Sequence, residues 1–236
     1  MTEELARTEL VVRTIAQTAI DNEKYFGDLD AVVGDGDFGY SLARGWEKVL
    51  EGWDDIDRTD VGTFLKKTGM IISSRIGGTS GPIWGTAFLR AGMAAGSENV
   101  DGAKVVVMLR AAIEGIKMRG QSDVGDKTLL DALVPLTDTL ELQLGAGADA
   151  GTAIAAAAAS AQQAAEATTP MIAKRGRASY TGERSIGSVD AGAKAVGIIL
   201  GEISTAWNNS TGSPAGADSA DSAAGTPTLT DQEETQ

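Results

Sequence analysis

Apolar residues spaced three or four apart recur along nearly the whole chain, and clusters of glycine interrupt them. Leu5, Thr8, Val12, Ile15 and Ala19 follow this spacing, with Arg7, Arg13 and Gln17 off that face, the pattern of an amphipathic helix. The same reading predicts helices near 40–51, 60–73, 81–94, 102–118, 127–142 and 190–207. Asp60 and Asp101 stand where N-caps belong, and Gly96 and Gly120 just past C-termini. Ala153 to Ala167 is mostly alanine with Gln162, Gln163 and Glu166. Alanine is the strongest helix former and lets neighbours approach closely, so this stretch reads as a packed helix. The β-branched runs Val105-Val106-Val107 and Ile71-Ile72 lack turn residues on both sides. An all-α fold of eight helices is expected.

The 236 residues include no cysteine and no histidine, and carry a net charge of −13. Disulfides, thiolate nucleophiles and zinc–thiolate sites are thereby excluded. So are Ser-His-Asp hydrolysis, imidazole ligands and phosphohistidine carriers within this chain. Carboxylate, lysine, arginine, hydroxyl and backbone amide remain for chemistry. The acidic balance argues against a nucleic-acid partner. No apolar run reaches the roughly 18 residues of a membrane span, and the start, Met1-Thr2-Glu3-Glu4, is acidic rather than signal-like. A cytoplasmic protein is expected. Residues 208–236 hold five acids and no Lys or Arg among Ser, Thr, Ala and Gly. That composition reads as a disordered acidic tail on a helical body of residues 1–207.

Three glycine-rich blocks and one basic segment carry the candidate chemistry. In Asp30-Ala31-Val32-Val33-Gly34-Asp35-Gly36-Asp37, an extended loop would point Asp35 and Asp37 the same way, and Asp30 can fold back to join them. Three close carboxylates repel one another unless a cation neutralises them, and an all-oxygen set suits Mg²⁺ or Ca²⁺. An EF-hand is ruled out, because the position needing a bidentate Glu is Trp46. The alternative is a solvated acidic turn capping the next helix.

Gly77-Gly78-Thr79-Ser80-Gly81-Pro82 is either an amide-rich anion pocket at a helix start or an ordinary capped turn. Gly120-Gln121-Ser122-Asp123-Val124-Gly125-Asp126-Lys127-Thr128 nearly matches a P-loop. Asp126 displaces the lysine, however, and a helix rather than a strand precedes it. Lys127 and Thr128 stay candidates near a nucleotide. Lys174-Arg175-Gly176-Arg177 could neutralise phosphate or form surface ion pairs. Tyr25, Phe26, Trp46 and Trp53 are expected to pack.

Gly34-Asp35-Gly36-Asp37-Phe38-Gly39, Gly77 to Pro82, Gly125-Asp126-Lys127-Thr128-Leu129-Leu130-Asp131-Ala132 and Gly176 to Gly187 stand in one order across about residues 5–205. In this they resemble the L subunit of dihydroxyacetone kinase. The resemblance implies an eight-helix antiparallel barrel holding ADP or ATP through two Mg²⁺ ions at its rim. It makes Asp30, Asp35 and Asp37 the metal ligands. Phe38, Gly39, Tyr40, Ser41, Thr79, Ser80, Gly120, Leu129, Arg177, Asp190, Ala191 and Gly192 would line the nucleotide, and Arg177 would stabilise phosphate charge as the catalytic candidate. The partners implied are a K subunit holding dihydroxyacetone through a histidine and, where the nucleotide is a fixed group recharged in place rather than exchangeable ATP, a phosphotransferase-system phosphoryl donor.

Members of that family usually carry histidine where Phe38 stands, commonly asparagine at Ser41, and usually His and Pro within the stretch Ser188 to Gly192. These departures motivate two alternatives, a non-catalytic nucleotide-binding regulator and a kinase subunit for another ketose such as erythrulose.

Overall fold

The computed structural model describes residues 2–212, and the chain is helical throughout with no strand among them. Nine α-helices occur: α1 Glu3–Asp21, α2 Glu23–Ala31, α3 Phe38–Glu51, α4 Val61–Arg75, α5 Ser80–Ala95, α6 Gly102–Gly120, α7 Leu130–Gly145, α8 Ala150–Glu166 and α9 Ala191–Gly212. The eight expected helices are all present. The addition is α2, split from α1 at Asn22, whose φ of −102° and ψ of 15° leave the helical region. Asp60 and Asp101 cap as expected, accepting from the backbone N–H of Thr63 at 2.6 Å and Lys104 at 2.8 Å. Gly96 ends α5 at φ +63°, whereas Gly120 is the last residue of α6 and Gln121 takes the left-handed cap position at φ 48°.

Packing runs in a closed ring. α1 contacts α3, then α4, α5, α6, α7, α8 and α9 follow as successive neighbours, and α9 returns to α1. Helix α2 lies outside this sequence, against α3 and α9. The eight ring helices form the expected antiparallel barrel, each connection returning the chain along the wall, with α2 between α1 and α3 and the longest connection, residues 167–190, between α8 and α9. Its wall is thin where small residues meet. A Cβ at Gly69 would stand 2.9 Å from the Gly85 carbonyl oxygen, and one at Gly92 2.7 Å from that of Gly62, so α4 and α5 touch backbone to backbone. The alanine helix α8 buries Ala153, Ala157, Ala158, Ala161 and Ala165 on one face, and a Cβ on Gly197 of α9 would stand 3.3 Å from the Gln162 Cα. One buried cluster centres on Phe26, Leu42, Trp46 and Phe64, and another on Leu136, Ala157 and Val196. Phe26, Trp46 and Trp53 pack as expected, but Tyr25 stays 42% exposed.

Helix α9 runs to Gly212, so the residues 208–212 assigned to the tail are helical. The rest of the expected tail, 213–236, lies outside the described residues. Among the described residues, no helix is long and apolar enough to cross a membrane.

Candidate functional site

Antiparallel alternation decides where the loops go. Connections α2–α3, α4–α5, α6–α7 and α8–α9 all open at one end of the ring, and these four carry the glycine-rich and basic blocks. Distant segments thereby converge on one rim. The Ser41 hydroxyl sits 3.4 Å from where a Cβ of Gly77 would be, and a Cβ on Gly192 would approach Leu129 at 3.4 Å.

At this rim Asp30, Asp35 and Asp37 each present a carboxylate oxygen, all within 4.8 Å of one another. Asp30 closes α2 and is half-buried, its Oδ2 accepting from the backbone N–H of Gly36 at 2.9 Å. That bond holds the loop in a tight arc, aided by Gly36 at φ +78°. Asp35 and Asp37 are exposed. The Arg177 guanidinium reaches across from the α8–α9 connection to pair with Asp35 and, at 3.4 Å, with Asp37. Three converging oxygens drawing in a cation of the protein's own are a donor set fitted to a hard divalent ion such as Mg²⁺. The simple capping turn is not what forms: Asp37 makes no side-chain cap hydrogen bond to α3.

The other expected residues divide. Thr79 is exposed at the start of α5, and its side chain makes no cap bond, leaving hydroxyl and amides directed to the rim. Ser80 and Gly81 follow it into the helix. Phe38 turns inward, its ring 6.1 Å from that of Phe26, so this side chain joins the core rather than the rim. Gly39 is buried with no room for a Cβ, which would meet the Glu23 carbonyl oxygen at 2.0 Å. Tyr40 is 59% exposed beneath the Arg44 guanidinium, 5.4 Å from its ring. Asp190 caps α9, accepting from Ala193 N–H at 2.7 Å while its own N–H donates to Thr168. Burial, with Asp131 nearby, pushes the Asp190 carboxyl up to about 7, against the pull of the Ala193 bond. Ala191 and Gly192 open α9 beside Leu129, the residue preceding α7, and Gly120 ends α6 against Ile83.

Lys127 is placed otherwise than its near-match to a P-loop suggests. It is buried, and its Nζ donates to the carbonyls of Met171, Ser185 and Ser188, at 3.1, 2.5 and 2.7 Å. Its ammonium is therefore taken up by backbone carbonyls, with Asp190 nearby. Asp131, which sequence reasoning left as part of a motif, is buried and accepts from the N–H groups of Gly125 and Thr128. Of the basic segment, Lys174 and Arg175 pair with Asp126 at 3.4 Å each, so only Arg177 reaches the acidic loop.

Residues 32–205 match the DAK2 domain. The chain belongs to the DAK2 domain family. The matched span begins at Val32, immediately past the end of α2 at Ala31. The chain is 36% identical over 199 residues to the ADP-binding subunit DhaL of the PEP-dependent dihydroxyacetone kinase of Escherichia coli (strain K12), covering 83% of this chain and 95% of that one. It is also 36% identical over 197 residues to the L-erythrulose 1-kinase of Mycolicibacterium smegmatis, covering 80% of this chain but 34% of the relative. The crystal structure of the C. freundii dihydroxyacetone kinase in complex with AMP-PNP and Mg²⁺ superposes with a TM-score of 0.66 at 26% identity. That match covers 85% of this chain and 33% of the kinase, so the DAK2 chain spans about a third of the solved protein.

Proposed function

We propose that this DAK2 protein is the nucleotide- and magnesium-binding L subunit of a dihydroxyacetone kinase, providing the phosphoryl group for a keto-sugar held on a separate K subunit. The observation that carries this is the convergence of Asp30, Asp35 and Asp37 within 4.8 Å at the rim where all four blocks meet. Similarity along 95% of the E. coli ADP-binding subunit supports the same reading.

In it, Asp30, Asp35 and Asp37 would hold two Mg²⁺ ions, whose charge would offset that developing on the phosphate during transfer. The chain's own groups do the rest. Asp30, tethered to Gly36, fixes the loop so that Asp35 and Asp37 meet a ligand already oriented. Thr79, Ser80 and the first amides of α5 receive anionic oxygens. Arg177 swings its guanidinium from the carboxylates to the transferring phosphoryl group, stabilising negative charge. Asp190, Ala191, Gly192, Leu129 and Gly120 form the neighbouring wall for base and ribose. Because the chain lacks histidine, the sugar must be held elsewhere, which is the task of the K subunit. A phosphoenolpyruvate-linked donor recharging bound ADP accords with the E. coli relative's description as PEP-dependent. Such a subunit works in the cytoplasm.

Phe38, which motivates the regulatory alternative, packs on Phe26 and leaves the three carboxylates together. The erythrulose alternative differs only in the sugar, which this subunit does not hold. The test is acid release of nucleotide from protein purified in Mg²⁺ buffer, followed by titration with Mg·ADP. Near-stoichiometric ADP, or saturable binding lost in EDTA, is expected. Protein that neither carries nor binds ADP or ATP in Mg²⁺ overturns the proposal.

A further inference from the structure

The segment between α8 and α9, residues 167–190, has to cross the rim and deliver Arg177 to the acidic loop, yet it contains no long helix of its own. Only a 3-10 stretch, Arg177–Ser185, is regular, and Gly182 at φ 57° and ψ −128° breaks it. The segment is also polar, with Arg177, Tyr180, Glu183 and Arg184 exposed. Hydrophobic burial therefore does little to fix it, and something else must.

Two bonds join its feet directly, from Ala173 N–H to the Ser185 hydroxyl and from Gly187 N–H to the Thr169 carbonyl, each at 2.9 Å, and the remaining tie comes from the α6–α7 loop. Lys127 inserts its ammonium beneath the segment and donates to three carbonyls, Met171 before the 3-10 stretch, Ser185 at its end and Ser188 beyond it. These acceptors span both flanks of Arg177, so one side chain ties the two feet of the arch that carries it. Lysine suits the task, since three donors radiate from one atom, and charge-assisted bonds to carbonyls are about twice as strong as neutral ones. The surrounding loop is built to hold Lys127 in place. Its backbone sits at φ 62°, and Asp131 ties down the residues on either side by accepting from Gly125 and Thr128 N–H. Outside this core, the Lys174 N–H donates to the Asp126 carbonyl, the Lys174 Nζ to that of Gly125 and the Arg175 Nε to that of Gln121.

We infer that Lys127 is a positioning residue that clamps both ends of the 171–188 arch and so sets Arg177 against the nucleotide and metal site. The inference rests on the role proposed for Arg177, and its test separates the two. The unliganded protein is first compared with K127M by hydrogen exchange. Amides of residues 171–188 should exchange at least about tenfold faster in K127M, while α3 to α6 keep their protection. Mg·ADP affinity is then measured in a double-mutant cycle with R177A. K127M alone should weaken binding about 10–100-fold, the scale set by partners that orient ligating groups, and should add little on top of R177A.

Additive losses, or unchanged exchange across the arch, overturn the clamp while leaving Arg177's role intact. A folded R177A variant with wild-type affinity overturns the Arg177 assignment and the positioning role together, whereas faster exchange would still establish the tether. K127Q, whose shorter side chain has two donor hydrogens and cannot bond all three carbonyls, serves if K127M does not fold. Protection across the arch equal to wild type in K127Q would likewise count against the clamp.

Discussion

Asp35 differs from its neighbour Asp30 in what it does for the unliganded protein. Asp30 accepts from the Gly36 amide and holds the loop closed, whereas Asp35 is exposed and meets only the Arg177 guanidinium. Asp35→Ala should therefore leave the far-UV helical signal unchanged and weaken Mg²⁺-dependent ADP binding by about 100-fold or more, beyond the effect of losing an outer partner. Calorimetric titration in Mg²⁺ and in EDTA checks it, and a folded variant with wild-type affinity removes the metal role. Asp190 offers a second single-residue case. Its carboxyl is pushed up to about 7 from an ordinary 3.8, so the native state favours the protonated form. Ionisation above pH 7 costs native stability, and protonation between pH 7 and about 4 restores it. Asp190→Asn keeps a capping oxygen for Ala193 but cannot ionise. Its stability should exceed that of wild type above pH 7 by about 1–3 kcal/mol, and the difference should shrink toward pH 4. Denaturant melts without nucleotide, at pH 4.5 and 8, measure that difference, and an equal offset at both pH values would contradict it.

At the scale of elements, the α4–α5 pair shows why glycine is needed inside helices. Gly62 and Gly69 on one helix meet Gly92 and Gly85 on the other. Both pairs are seven residues apart, two turns, so they fall on one face. A Cβ on Gly85 would stand 2.6 Å from that of Ser73 and 2.8 Å from the Gly69 carbonyl oxygen. Gly85→Ala, although a better helix former, should separate the helices and cost about 1–3 kcal/mol. That corresponds to a fall in melting temperature of roughly 2–10 °C, readable by circular dichroism; an unchanged or higher value would mean that the helices part freely. Sequence reasoning did not find this pairing, because helix propensity alone counts each of these glycines as a weakness and the partner helix that requires them is supplied only by the fold. The ring helices were legible because their apolar spacing is sustained and their ends are marked by Asp caps and glycines. Helix α2 was not, since Glu23–Ala31 is short, has Gly27 at its centre and buries only Phe26. The acidic triad was legible from local spacing and the DAK2 motifs from order. The role of Lys127 was hidden, because its three acceptors lie 44, 58 and 61 residues away and are backbone carbonyls, which any sequence supplies.

For the whole molecule, the consequence of the ring is that a ligand at one rim touches connections belonging to most of the wall. The acidic loop joins α2 to α3, Thr79 and Ser80 begin α5, Leu129 precedes α7, and Arg177 and Asp190 lie between α8 and α9. No pair of helices can leave the ring without disturbing one of these loops, so binding should stabilise the entire barrel rather than a local lobe. Mass action gives the size, about 2.7 kcal/mol when free ligand is 100 times its dissociation constant. Mg·ADP at that concentration should therefore raise the midpoint of a single unfolding transition, with far-UV signal and tryptophan fluorescence moving together, since Trp46 and Trp53 lie in the core beside α3 and α4. In EDTA the shift should vanish, because the three carboxylates then repel the phosphates instead of sharing a cation with them. A shift that survives EDTA would place the nucleotide away from Asp30, Asp35 and Asp37. Two separated transitions, with only one responding to ligand, would mean that the ring opens in parts and that the rim loops do not hold it as one body.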